Sequence, residues 1–213
     1  WCSWGYEFDV RPEEISGVMP KLQQLGIRWL VVDDRWFDTY GDWNARPEIW
    51  GAGGAKLKQV ARRARARGLL SRLWWIPLLV ETGAGAYDSH RDRRARVLEA
   101  HPGWLIRRSD GKPALGPRGL GYLCPALPGV RAHVKSLVER FIRDWGFDGH
   151  KLDVVFAVPP CHDPKHRHLR PEDSSAAMAA LYKLIFDTTR RLKAHAVTEI
   201  CPCGTTPHHA WLP

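Results

Sequence analysis

The residues from Trp145 to Phe156, Trp-Gly-Phe-Asp-Gly-His-Lys-Leu-Asp-Val-Val-Phe, hold the side chains best suited to chemistry. They read as a helix end, a glycine turn and a short buried strand. Side chains alternate across a strand, so Lys151 and Asp153 share one face while Leu152 and Val154 share the other. Two charges on one face of an apolar strand suit the mouth of a parallel barrel, where catalytic groups sit at strand ends. A neighbouring cation favours the ionised form of a carboxylate, so Lys151 is expected to hold Asp153 as an anion able to act as a nucleophile. A purely structural Lys-Asp pair at a strand end is the alternative.

Two further groups of acids end apolar runs. Asp33 and Asp34 follow Trp29-Leu30-Val31-Val32, with Asp42 and Trp43 just beyond, and Glu199 closes the run from Ala196 to Ile200. Adjacent aspartates repel each other and lose solvation when buried. Neighbouring sugar hydroxyls or a cation would give such a pair a reason; one aspartate capping a turn while the other faces water is the simpler reading. Three acid-bearing strand ends converging on one mouth point to a site.

These groups must be positioned by the elements around them. Trp1 to Phe8 reads as a strand end, and Pro12-Glu13-Glu14 opens a helix with apolar residues at helical spacing from Ile15 to Leu25. After the run ending in Asp33 and Asp34 comes a loop from Arg35 to Gly54, then a basic helix from Lys56 to Arg67. Leu69 to Ile76 is a third strand. An insertion with a helix near Asp88 to Glu99 leads to a helix from Val130 to Trp145 and the Lys151/Asp153 strand. Ser174 to Lys193 is another amphipathic helix, and Ala196 to Ile200 a fifth strand. Strand, helix, strand with connections of crossover length predicts an α/β fold, the first five βα units of a (β/α)8 TIM barrel. A doubly wound sheet is the alternative, but no Gly-rich phosphate loop follows the first strand.

Composition bounds the partners. The 213 residues carry a formal net charge of +9, concentrated in Ala61 to Arg67, where alternating alanine and arginine fit the solvated face of an outer helix. No aromatic-interleaved groove accompanies that charge, so no nucleic-acid partner is expected. No apolar run approaches the length of a membrane span, and no membrane partner is expected. Five cysteines without regular spacing do not describe a disulfide framework. Eleven tryptophans exceed what a core of this size usually holds, and indole faces are common walls for sugar rings. Neither end of the chain, Trp1-Cys2-Ser3-Trp4 or Trp211-Leu212-Pro213, reads as a natural terminus.

The ordered set Trp1-Cys2-Ser3-Trp4, Leu30 to Trp36, Gly41-Asp42-Trp43, Leu73-Trp74 with Pro77, His101-Pro102-Gly103-Trp104, Gly149 to Asp153 and Glu199 to Gly204 resembles the barrel of glycoside hydrolase family 36. That family holds alpha-galactosidases and plant raffinose synthases. The resemblance covers nearly the whole chain and implies a retaining glycosidase acting on terminal alpha-galactosides. It implies Asp153 as nucleophile and Lys151 touching the sugar, with Asp33 and Asp34 binding galactose hydroxyls. Trp74 would wall the subsite, Cys201 and Gly204 would line it, and Trp4, Asp42 and Trp43 are expected among the substrate-binding residues. It places the general acid after a sixth strand, outside this chain, so residues 1–213 would be the N-terminal part of the catalytic barrel and inactive alone. An oligosaccharide or glycoside is the expected partner, with self-association of the complete protein left open and no cofactor. Three places depart from the family: Ile76 stands where a glutamate is usual, Val154-Val155-Phe156 replace an asparagine and arginine, and Pro202-Cys203-Gly204-Thr205-Thr206 replace a glycine run.

Three other readings compete. A transglycosylase of raffinose-synthase type would use the same residues. A metal-dependent barrel hydrolase could draw zinc ligands from Cys161-His162-Asp163-Pro164-Lys165-His166-Arg167-His168 and Cys201-Pro202-Cys203. A His-rich polar loop is more often only a loop, so no metal site is expected. A sugar-binding relic without turnover would keep Asp33, Asp34 and the tryptophans.

Overall fold

The computed structural model describes residues 1–6, 10–83, 93–155 and 157–201. Helix α1 (Pro12–Gln24) opens where expected. Pro12 occupies the first position, where its missing N–H is not needed, and Glu14 accepts from the Arg11 amide at 2.6 Å. Ile15, Met19 and Leu22 form its buried face, and Gly26, at φ 69°, lets the chain leave the helix.

Strand β1 (Trp29–Val32) is followed by α2 (Pro47–Trp50) and α3 (Ala55–Ala66), then β2 (Leu70–Trp75). In α3, Ala61 and Ala64 are buried while Arg62, Arg63, Arg65 and Arg67 are exposed, so the basic run is the outer face of a crossover helix. An insertion then contributes a two-stranded antiparallel ribbon, β3 (Leu79–Val80) with β4 (Gly121–Tyr122), and the short α4 (Arg96–Ala100). Helix α5 (Pro128–Glu139) runs into a π turn, Arg140–Asp144, before β5 (Gly149–Asp153). Helix α6 (Asp173–Leu192) leads to β6 (Val197–Cys201).

The sheet order is β1-β2-β5-β6, with every neighbouring pair parallel. This is the α/β arrangement expected of consecutive barrel units. Of the strand end expected from Trp1 to Phe8, the described residues show a parallel bridge between Cys2 and Val31, after which Ser3–Tyr6 turns as a 3-10 helix; Glu7 and Phe8 lie outside the described residues. Ser3 explains the turn: its hydroxyl accepts the Asp33 amide at 2.8 Å, tying the chain across the end of β1. Of the helix expected near Asp88 to Glu99, the described part is α4.

The two faces of the sheet differ. Leu30, Val32, Leu73, Trp75, His150 and Leu152 face outward and are buried under the helices. The inner face carries Arg72, Trp74, Lys151, Asp153 and Glu199. At Gly149 an added Cβ would collide with the Val197 backbone, so only glycine permits β5 and β6 to approach there. At the N-terminal edge of the strands, Asp148 accepts from Ser71 N at 3.0 Å, Arg65 at 3.1 Å and Lys193 at 2.9 Å. These bonds, led by the one from Lys193, hold its carboxyl below the usual range despite burial.

Candidate active site

At the C-terminal end of the sheet, Trp4, Asp33, Asp34, Trp74, Arg118, Lys151, Asp153 and Cys201 line a cleft of about 310 Å³. The ends of the four parallel strands, which open at the same mouth, bring most of these residues together, while Trp4 comes from the N-terminal 3-10 turn and Arg118 from the insertion. Asp33 directly follows β1, Trp74 lies near the end of β2, Lys151 and Asp153 lie on β5, and Cys201 closes β6.

Asp153 accepts from Trp74 Nε1 at 3.0 Å through one carboxylate oxygen and from the Val154 amide at 2.7 Å through the other. Val154 makes that contact from a left-handed backbone conformation, φ 49°, which a β-branched residue adopts only under strain. Strand β5 ends there; the turn holds one Asp153 oxygen and the Trp74 indole the other.

The expectation that Lys151 holds Asp153 is corrected. The Lys151 ammonium donates to Asp33 Oδ2 at 2.7 Å, one strand beyond β2. Lys151 pairs with Trp74 in the β2–β5 register, and its side chain reaches past that position to β1. Burial works against its charge, but the hydrogen bond and charge of Asp33 outweigh burial and push the lysine above its ordinary range. Cys2 Sγ also donates to Asp33 Oδ2 at 3.0 Å, and burial together with that bond pushes its thiol up to about 11.

Asp34 lies on the other side of the cleft floor. Its carboxylate meets Arg118 Nη1 at 3.1 Å, accepts the Arg35 amide at 2.7 Å, and lies 3.4 Å from the Tyr40 hydroxyl. Burial raises its carboxyl above the ordinary range, and Arg118 and Arg35 oppose that rise. Sequence reasoning missed Arg118. It sits in the insertion, on a 3-10 turn at φ 62°, remote in sequence from every strand of the parallel sheet, and no spacing rule links it to Asp34.

Asp42 and Trp43 do not line the cleft. The Asp42 carboxylate accepts the amides of Arg96 and Val97 at 2.8 and 2.9 Å, capping α4. Trp43 is fully buried among Phe37, Tyr40 and Trp36, with ring centroids 4.5, 5.5 and 6.1 Å away. The tryptophan excess is largely of this kind: Trp36, Trp43, Trp50 and Trp75 are all core, while Trp4 and Trp74 reach the cleft. Glu199 lies mid-strand rather than at the mouth and is paired with Arg72 on the inner face. Gly204 lies outside the described residues.

Beside the cleft is a second, more apolar hollow of about 220 Å³, lined in part by Ile76, Leu79, Leu120 and Val154. Trp74, Arg118 and Asp153 belong to both, so the two are continuous.

Comparison with known proteins gives one family. The chain is 31% identical over 221 residues to the A type blood alpha-D-galactosamine galactosaminidase of Flavonifractor plautii, covering 100% of this chain and 20% of that protein. It is 24% identical to alpha-galactosidase AgaA of Geobacillus stearothermophilus, covering 92% of this chain and 26% of that one. The crystal structure of that alpha-galactosidase, of glycoside hydrolase family 36, superposes with a TM-score of 0.73 at 21% identity, covering 94% of this chain and 27% of that one. The alpha-galactosidase TtGalA of Thermus thermophilus, solved with stachyose, gives a TM-score of 0.69 at 23% identity, covering 94% of this chain and 39% of that one. The chain thus spans a fifth to two-fifths of these relatives, and the structural likeness establishes the barrel fold. The family model described as Melibiase matches residues 1–209, nearly the full length, and the chain belongs to that family, within glycoside hydrolase family 36.

Proposed function

We propose that this chain supplies the nucleophile and the sugar subsite of a retaining glycosidase acting on terminal alpha-galactosides. The observation that carries the reading is the Asp153 carboxylate, held through both oxygens at the floor of a cleft it shares with two cation-paired aspartates and two indoles.

In this reading an Asp153 oxygen attacks the anomeric carbon, forming a glycosyl ester as the bond to the leaving oxygen breaks and that oxygen takes up a proton. Water then attacks the same carbon, loses a proton and displaces the carboxylate, so two inversions give net retention. Trp74 and Val154 orient the nucleophile without the need for a neighbouring lysine. Asp33 and Asp34 accept from the hydroxyls of the sugar, with Lys151 and Arg118 as their cationic partners. Trp4 and Trp74 offer ring faces to the C–H side of the sugar, and Cys201 closes the rim. No residue of this chain is assigned as the proton donor, which the family resemblance places after a sixth strand.

The test is a mechanism-based alpha-galactosyl inactivator applied to the intact protein, followed by peptide mass spectrometry. Labelling at Asp153 is expected. Label on another carboxylate, or none in a folded protein, overturns the assignment.

One observation favours a second reading of the sugar. The relative at 31% identity is named for alpha-D-galactosamine, whereas those named alpha-galactosidases fall at 22–26%. A sugar bearing a 2-amino group would use the same nucleophile. Comparing kcat/KM on matched alpha-galactoside and alpha-galactosaminide substrates separates the two.

A further inference from the structure

Outside the cleft, four soft-ligand side chains converge. Cys124 follows β4, while Cys161, His166 and His168 belong to the loop between β5 and α6. Cys124, Cys161 and His166 are buried, His168 is partly so, and their four ligand atoms all lie within 4.8 Å of one another. Cys124 Sγ is 3.3 Å from His168 Nε2, and Cys161 Sγ is 3.2 Å from His166 Nδ1. A tetrahedral Cys2His2 zinc centre, with metal–sulfur bonds of about 2.3 Å and metal–nitrogen bonds of about 2.0–2.1 Å, has ligand–ligand edges of roughly 3.3–3.8 Å. The cluster therefore needs shifts of an ångström or less to hold such an ion.

The loop is built to present these groups. Asp163 accepts the Lys165 amide at 2.9 Å, capping the 3-10 turn Pro164–His166, and pairs with Arg107 at 3.2 Å. Arg167, at φ 54°, then reverses the backbone so that His166 and His168 face the same point, with their rings at 86°. His166 Nε2 donates to the Gly103 carbonyl at 2.6 Å, which leaves Nδ1 as the lone-pair nitrogen aimed at the sulfurs. A ligating histidine usually has its other nitrogen fixed in this way. The Cys124 and Cys161 amides are tied to Trp104 O and Pro171 O at 2.9 and 2.8 Å, so both sulfurs stand on anchored backbone.

We propose that Cys124, Cys161, His166 and His168 form a structural zinc site. Four protein ligands close the coordination sphere, as structural rather than catalytic sites do, and none of the four lines the cleft. The ion would staple the loop that leaves the Asp153 strand to the insertion that delivers Arg118. This differs from the zinc hydrolase weighed on sequence, since Cys201 lies at the cleft and His162 and Asp163 are not in the cluster. Cys124, which that reading did not include, completes the set. Mixed thiolate and imidazole donors in tetrahedral array select zinc over magnesium or calcium.

The experiment is elemental analysis of the intact protein purified without chelator, beside Cys124→Ser/His168→Ala. The expected result is one more zinc per chain in the wild type than in the variant, and unchanged zinc in Asp153→Asn. A second readout that does not depend on the folding of the double variant is apo wild-type protein reloaded with cobalt(II). A sulfur-to-cobalt charge-transfer band with intense tetrahedral d–d bands is expected. Removing the metal should also increase proteolytic cleavage between Pro159 and Asp173, reversed by added zinc. Equal zinc in wild type and a folded variant, a weak octahedral cobalt spectrum, or a Cys124–Cys161 disulfide in freshly purified protein would each overturn the site.

Discussion

The Lys151 ammonium and the Asp33 carboxylate meet at 2.7 Å across the width of β2, joining β5 to β1 at the cleft floor. The lysine side chain is 16% exposed and the aspartate 3%, so each is the other's main compensation for lost water. Removing one partner strands the other. Lys151→Met is expected to lower the thermal midpoint of the intact protein, with a loss of about 2–4 kcal/mol, because a buried carboxylate is left without its cation. The double variant Lys151→Met/Asp33→Asn should recover part of that loss. If the two single losses simply add, the pair is not coupled as described.

Asp153 gives a sharper chemical test. Asp153→Gly should reduce turnover roughly 10³- to 10⁶-fold, the range seen when a covalent nucleophile is removed. The gap left beside Trp74 admits a small anion, so azide should restore activity on a substrate with a good leaving group. The product should be the inverted beta-glycosyl azide, identified by NMR. Restored activity with retained stereochemistry would assign the attack to another group.

Among the described residues with a positive φ, Val154 is the β-branched one, so its backbone conflicts most with its side chain. At φ 49° its left-handed conformation costs a non-glycine residue about 1–2 kcal/mol, and asparagine tolerates that region better. Val154→Asn should therefore raise stability by about 1 kcal/mol, seen as a higher thermal midpoint, while keeping the amide that holds Asp153. A loss of stability would mean that the apolar contacts of Val154 outweigh its strain.

The strand-helix alternation was legible from hydrophobic runs, and with it the parallel sheet and the convergence of Asp33, Asp34, Lys151 and Asp153; Trp74 and Cys201 came only with the family resemblance, and Glu199, read as a third converging acid, stays mid-strand. Pairing across strands was not. The alternation rule puts Lys151 and Asp153 on one face, but it does not tell how far a four-carbon side chain reaches, and Lys151 reaches β1. Asp42 and Trp43 read as site residues by their closeness to Asp33 and Asp34 in sequence. The turn around Gly41, at φ 100°, instead sends one to cap α4 and the other into the core. Arg118 and Cys124 were invisible for the opposite reason: each acts with residues many tens of positions away, brought near only by the insertion.

His150 lies between the two residues' worth of chemistry on β5 yet points the other way, into the helices. It is fully buried, accepting from Trp75 Nε1 at 3.2 Å through Nδ1 and lying 3.0 Å from Thr189 Oγ1 through Nε2. Thr189 donates its hydroxyl to Ile185 O at 2.7 Å, so Nε2 carries the ring proton and Thr189 accepts it. Every position in this chain suits a neutral imidazole, and burial pushes its pKa down to about 3. In the unfolded chain the same group titrates near 6.5. Between those values the unfolded state binds a proton that the native state refuses. Stability is therefore retained above about pH 6.5 and falls as the pH drops toward 3, by about 1.4 kcal/mol per unit from this group. His150→Gln keeps a donor and an acceptor but does not titrate. Its unfolding free energy should depend less steeply on pH than that of the wild type across pH 6.5 to 4. Parallel curves for the two proteins would mean that His150 is protonated in the native state.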